Sequence, residues 1–398
     1  MGLMTTFLDP METTSAKSSA PSQRLVSLDA LRGFDMFWII GVDAMFATLH
    51  YTSGNKVIQF VAYQLDHSEW EGFRFYDFIF PLFVFIVGVS LVFSLSKTIE
   101  KGGRSKAIGR IFRRSLLLYA LGVFYYGGFS NSWDNMRLVG VLPRIAFSYF
   151  FAGLLFCFFK PRTLVITCAG ILIGYWAMLT FVPFPNYRDA TAPQMVHGSF
   201  TQNLNLVGYF DLQYLPGDNG NGIDPEGLLS NIPAIASCLL GVFAGLLLMD
   251  QKTVDRRKVI YLLSFGVVSI ALGWLWGVQF PVIKKLWTSS YVLVAGGYSA
   301  ILLAAFYQIV DVWKYQKWCQ PFVWIGMNAI TIYMGENILG GYHGYDHISE
   351  RFLGGDIRSF FEHHVGKGFG ESMINIGGLL AAFLLARFLY RRKIFLRV

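Results

Sequence analysis

Apolar runs of about 20 residues recur along the whole chain, divided by shorter polar stretches, and that period is long enough to cross a bilayer rather than to face a soluble core. Ten such runs can be drawn, at about 30–50, 75–97, 107–127, 138–159, 163–183, 228–249, 258–277, 289–312, 321–341 and 372–391. A backbone exposed to lipid must satisfy its own hydrogen bonds, which selects helices. The expected fold is therefore all-α: a polytopic membrane helical bundle of about ten transmembrane helices, in a single domain over residues 24–398. Residues 1–23, rich in Ser, Thr, Ala and Pro with no continuous apolar core, read as a flexible tail and not a signal peptide.

Composition agrees with this reading and excludes a chain of soluble domains: 54% of residues are hydrophobic, 15% are charged, and mean hydropathy is +0.46. The net charge of +8 points to topology, not to nucleic acid. Of the 33 lysines and arginines, 22 fall on the side of the two termini and 9 on the other, so both termini are expected in the cytoplasm. The opposite side carries the long connections, about 51–74, 184–227 and 342–371, and most of the seven histidines. Loops of that length are commonly functional. The cysteines Cys157, Cys168, Cys238 and Cys319 are scattered without metal-ligand spacing, so buried thiols and no metal are expected.

Charged residues inside apolar runs are expensive and by default line a cavity or pair within the bundle. Asp29, Arg32, Asp35 and Asp43 share the first run, and Arg32 is three residues from both Asp29 and Asp35, within reach of either on one helical side. Asp43 lies further along, with no local cation, and reads as functional rather than structural. Arg144 follows Gly140 and Pro143 and suits either an anionic ligand or structural pairing. Glu336 and Asn337 form a polar stripe near the outer face, equally readable as cavity lining or helix–helix glue.

The densest chemistry sits in Leu65 to Ser90, LDHSEWEGFRFYDFIFPLFVFIVGVS. Its first half places His67 among Asp66, Glu69, Trp70 and Glu71, just above a membrane-spanning second half. An imidazole there is a candidate acid, base or nucleophile. Trp70 suits stacking on a sugar, packing a lid or anchoring at the interface. Asp77 suits the N-cap of the following helix. Asp224 and Glu226, in a DPEG run, suit either contact with a cationic amine or turn and capping duty.

At these residues the chain resembles the heparan-α-glucosaminide N-acetyltransferase family. The resemblance lies in RLVSLDALRGFDM with Arg24, Asp29, Arg32 and Gly33, and in HSEWEGFRFYDFIFPLFVFIVGVSL. It continues in GVLPRIAFSYF, DPEGLLSNIPAIASCLLGVFAG, LWTSSYVLVAGGYSA and WIGMNAITIY, in the family's order over residues 24–333. It implies acetyl transfer from acetyl-CoA to the amine of a terminal glucosamine, with His67 matching the family's catalytic histidine as general base or acetyl carrier. A family asparagine falls at Asp43, a departure that puts an oxyanion role there in doubt and leaves a carboxylate that could orient His67. Arg32, Arg113, Arg114 and Arg144 are expected on the donor, and Trp70, Asp224, Glu226, Glu336 and Asn337 on the acceptor. The implied setting is a bacterial inner membrane with the acceptor on the periplasmic side, surrounded by membrane lipid. The resemblance also implies a homodimer and an acceptor that need not be heparan. The rival reading is an inner-membrane amino-sugar transporter using Asp43, Arg32 and Glu336.

Overall fold

In a computed structural model the described residues are 25–42, 44–45, 54–130, 132, 135–189, 194–216, 223–341 and 343–396. The first run becomes α1, Val26–Phe37, continued by a wider turn over Trp38–Val42. A short amphipathic helix follows, α2, Lys56–Gln64, with Val57, Phe60 and Tyr63 exposed. The second and third runs form one 51-residue element, α3, Phe75–Tyr125, which reverses at Gly103, where φ is +75°. Arg110 donates to Thr98 Oγ1 at 3.0 Å, although the two would lie about 18 Å apart on a straight helix. The basic stretch between the second and third apolar runs is thus a tight helical hairpin.

Then come α4, Val141–Phe158, and α5, Pro161–Phe181. The long connection after α5 is folded, with a two-residue antiparallel pair, Phe184–Pro185 with Met195–Val196, and α6, Leu206–Tyr214. The remaining elements are α7 (Asn231–Met249), α8 (Asp255–Gly277), α9 (Ser289–Phe306, extended over Tyr307–Val312), α10 (Gln320–Gly326), α11 (Ala329–Ile338), α12 (Gly344–Leu353), α13 (Asp356–His364) and α14 (Phe369–Arg391). Seven helices among the described residues are long and apolar enough to cross a membrane: α3, α4, α5, α7, α8, α9 with its extension, and α14. Counting α3 as its two arms brings this nearer the ten expected runs. The run at 321–341 is broken between α10 and α11, and the first is described only to Val42 and at residues 44–45.

Close approach is built on small residues. A Cβ at Gly326 would lie 1.9 Å from the Asp29 carbonyl oxygen, and one at Gly33 1.7 Å from that of Phe322, so α1 and α10 cross backbone to backbone. Gly88 of α3 and Gly241 of α7 meet the facing helix in the same way, as does Gly297 of α9 against Gly266 of α8. Gly and other small residues serve membrane bundles in this role because apolar surface alone gives helices no reason to prefer each other over lipid.

The two ends of the bundle differ. At one, Asp311 accepts from the Val26 and Ser27 backbone N–H groups at 3.3 and 3.1 Å, and the Tyr307 hydroxyl donates to Asp255 at 2.6 Å. At the other end the connections stack into a cap. Tyr175, Phe184, Leu206, Val207, Phe280, Ile283 and Leu286 form a second small core there, separate from the main one.

Candidate active site

The loop before α3 is clamped into this cap. Gly72 N–H donates to the Val282 carbonyl at 2.9 Å, Glu71 bridges Ile283, and the Trp70 indole donates to the Phe200 carbonyl at 2.8 Å. Arg74 closes the loop from below, donating through Nη1 to the His67 carbonyl at 2.8 Å. These bonds fix where the His67 ring stands.

Asp77 is the third residue of α3 and fully buried. Its Oδ2 accepts from the backbone N–H groups of Ser68 and Arg74, both at 3.1 Å, so it caps the helix from its third position, while Arg74 and not Asp77 holds the N-cap. Its Oδ1 faces the other way, 2.9 Å from His67 Nδ1. One carboxylate therefore both starts the helix and orients the imidazole. Lys284, in the loop before α9, places Nζ 3.1 Å from His67 Nδ1, 3.5 Å from Nε2 and 3.6 Å from Asp77 Oδ1. Burial pushes the Lys284 amine down to about 8, against the opposing pull of Asp77 and Glu226. His67 itself is half exposed, and its ring centroid lies 4.8 Å from that of Tyr76. A histidine held by a buried carboxylate, with an ammonium beside it, has the parts for proton transfer next to developing negative charge.

A second charged group adjoins this one. Arg137 holds Asp224 through two bonds of 3.0 and 2.8 Å and Glu226 at 3.0 Å. Burial works against the Arg137 charge, but the two carboxylates outweigh it and hold its pKa above the ordinary value. Burial raises Glu226, with Arg144 and Arg137 opposing. Arg144, at 1% exposure, donates to Ser230 Oγ and Asn231 Oδ1 and stacks 4.5 Å from the Trp287 ring, while its Nη1 has no hydrogen-bond partner among the described residues.

Residues 24–273 match the family model described as heparan-alpha-glucosaminide N-acetyltransferase, catalytic. The chain belongs to this family. It is 29% identical to the heparan-alpha-glucosaminide N-acetyltransferase of Mus musculus over 95% of its own length and 62% of the relative's. For that of Homo sapiens the figures are 28%, 96% and 61%. The chain thus spans about three-fifths of the length of the curated relatives it matches. His67, Asp77, Arg144, Asp224 and Glu226 lie inside the matched family segment, and Lys284 lies past its end.

Several expected site residues stand elsewhere in the bundle. Asp43 lies outside the described residues. Arg32 donates to Ser90 Oγ at 2.7 Å and to Asp29 and the Gly326 carbonyl at 3.4 Å. Asp35 is not drawn in: both of its oxygens are buried with no hydrogen-bond partner among the described residues. The four arginines expected on the donor are not brought together. Arg113 is exposed while Arg114 turns inward over the Tyr149 ring at 4.6 Å, because neighbours on a helix point about 100° apart. Arg144 sits at the His67 end, beside the group of Arg137, Asp224 and Glu226. Trp70 packs the cap. Asp224 is tied to Arg137 and also accepts from the Glu226 N–H at 2.9 Å. Glu336 is buried, and Asn337 beside it half-buried, at the foot of the α12 connection, where a Cβ on Gly344 would meet the Glu336 carbonyl. Among the described residues no cluster of His, Cys, Asp or Glu has the form of a metal site. Lys284 and Asp77 are the functional candidates the sequence reading missed, since Asp77 reads there only as a helix cap.

Proposed function

We propose that this chain is an integral membrane N-acetyltransferase that moves the acetyl group of acetyl-CoA to the amine of a terminal glucosamine-type sugar. The observation that carries the reading is the His67–Asp77–Lys284 arrangement, on a chain whose family is named for that transfer. The acceptor nitrogen attacks the thioester carbonyl carbon. His67 accepts the proton this nitrogen loses, through the imidazole nitrogen that Asp77 does not hold. Asp77 fixes the ring and offsets the charge it gains. The Lys284 ammonium faces the oxygen that turns negative in the tetrahedral intermediate, the place where a preorganised cation lowers the barrier most. The carbon–sulfur bond then breaks, the proton passes to the thiolate, and the products are the N-acetyl sugar and CoA.

Arg32 and the basic hairpin Lys97–Arg114 are the groups we assign to the phosphates of a cytoplasmic donor, since charge-assisted guanidinium bonds suit them. The His67 end faces the non-cytoplasmic side in this proposal, which the lysine and arginine asymmetry and the opposed ends of the bundle support. Single-turnover transfer from acetyl-labelled acetyl-CoA to glucosamine tests it. Wild type transfers label, His67→Ala does not, and without acceptor no label stays on the protein. Label retained on the protein would make His67 an acetyl carrier. Wild type that transfers label to no amino sugar sinks the reading, and sugar uptake into proteoliposomes becomes the next assay.

A further inference from the structure

A groove of about 390 Å³ opens on the flank of the bundle between α1, α3 and α9, lined among others by Phe34, Phe78, Ile301 and Ala305. Tyr298 and Ala305 both line it and both are exposed. They are seven residues apart on α9, so the groove runs about 10 Å along a membrane-crossing helix. Its mouth is polar, formed by Gln64 and Arg74. The guanidinium of Arg74 lies 3.9 Å from the Tyr63 ring, on the amphipathic helix α2, whose exposed Val57 and Phe60 mark the level of the membrane interface.

Arg74 joins this groove to the candidate site. It bonds the His67 carbonyl and the exposed Asp66 carboxylate, both through Nη1. Its Nε and Nη2 make no hydrogen bond among the described residues. The mouth therefore offers guanidinium donors to an anion at the interface, one residue-length from the His67 loop, with an apolar trough below.

Resting on the acetyltransfer reading above, we propose that the acceptor is a lipid-anchored amino sugar. Its hydrocarbon chain lies in the α1–α3–α9 groove, its phosphodiester sits at Arg74, and its amine reaches His67. The bond changes are those already given. The chain gains little by leaving lipid for the groove, because both are apolar. What it supplies is a tether that raises the effective concentration of the amine at His67.

The test compares hexadecyl-phosphoryl-glucosamine with methyl glucosaminide in nanodiscs, using wild type and Ala305→Trp. Ala305 is exposed, so the indole fills the groove without entering the core. Wild type is expected to favour the lipid probe by about tenfold or more in kcat/KM. In Ala305→Trp that advantage falls to near one, while turnover of methyl glucosaminide stays within about twofold of wild type. Ala305→Leu, a smaller filling, gives an intermediate loss and stands in if the tryptophan variant does not fold. An advantage that survives groove filling comes from partitioning into the bilayer alone and overturns the proposal. So does a wild type that shows no preference for the lipid probe. A wild type that acetylates neither probe overturns the acetyltransfer reading itself.

Discussion

Replacing Lys284 separates chemistry from stability in one experiment. The fall of its amine from 10.5 to about 8 corresponds to about 3 kcal/mol against the buried ammonium. The sign follows from proton counting. Between pH 8 and 10.5 the unfolded chain holds a proton here that the folded one has released, so unfolding free energy rises with pH across that window. Below pH 8 the folded protein carries the whole cost. Lys284→Met removes the cost and leaves Asp77 its bonds to Ser68, Arg74 and His67. The variant is therefore expected to be more stable than wild type at pH 7, by up to about 3 kcal/mol. The gain should vanish by about pH 10.5.

Catalysis should move the other way. Loss of a preorganised charge at the oxyanion lowers kcat by about 100- to 1,000-fold. In wild type, activity should fall above about pH 8 as Lys284 loses its proton. The acceptor amine cannot cause that fall, because deprotonation makes it the nucleophile. In Lys284→Arg, whose charge persists, the alkaline limb should move up and out of range. The assays are CoA thiol release against pH and denaturant unfolding of the same detergent-solubilised samples. A Met variant that is less stable than wild type at pH 7, together with an alkaline limb unchanged in the Arg variant, would refute this account and leave Lys284 as an ordinary ion-pair partner.

Four further outcomes follow from packing and charge. Arg137→Ala strands Asp224 and Glu226, both largely buried, and should cost about 3 kcal/mol, read as a lower melting temperature. Gly326→Ala forces a methyl group to within 1.9 Å of the Asp29 carbonyl and should destabilise the protein or prevent its assembly. Gly109→Ala, which meets nothing within 4 Å, should be neutral or gain up to about 1 kcal/mol in the same thermal assay. Asp211 is pushed up to about 7 by burial, against the pull of the Leu228 N–H bond. The folded protein thus keeps a proton that the unfolded chain loses between pH 3.8 and about 7, and this contribution to stability is lost as pH rises through that window. Asp211→Asn should flatten the dependence and leave the variant more stable than wild type at pH 8, by about 4 kcal/mol at most.

The membrane helices were legible because lipid imposes one rule on every span, and a 20-residue apolar run announces it. Breaks within runs were less legible. The interruption at Met327–Asn328 falls inside an apolar run, with no polar stretch to announce it, whereas the polar stretch around Gly103 announced a break but not that the chain stays helical on both sides of the reversal. At the site, His67 stood out, but Asp77 read only as a helix cap, and geometry alone shows it facing two ways. Its capping oxygen satisfied the local reading and hid the other. Lys284 is 217 residues from His67, too far for any local pattern to join them. One signal was available: Lys284 and Lys285 form an adjacent pair in a short loop on the side otherwise poor in lysine and arginine.

That pair bears on how the site tolerates its own charge. Around His67 the cap gathers three carboxylates, Asp77, Asp224 and Glu226, and three cations, Lys284, Arg137 and Arg144. They act on one another closely enough that Glu226 and Arg144 both influence Lys284. The formal charges cancel, so a cationic amine can enter and an oxyanion can form without working against a large fixed field of either sign. The cancellation also separates duties. Arg137 neutralises Asp224 and Glu226, and Asp77 has its own backbone donors, which leaves Lys284 the cation closest to the imidazole. The cap's loops carry Lys284, Arg137, Asp224 and Glu226, while Asp77 and Arg144 stand on the membrane-crossing helices α3 and α4, so the site is assembled where the loop-to-loop hydrogen bonds meet the end of the bundle.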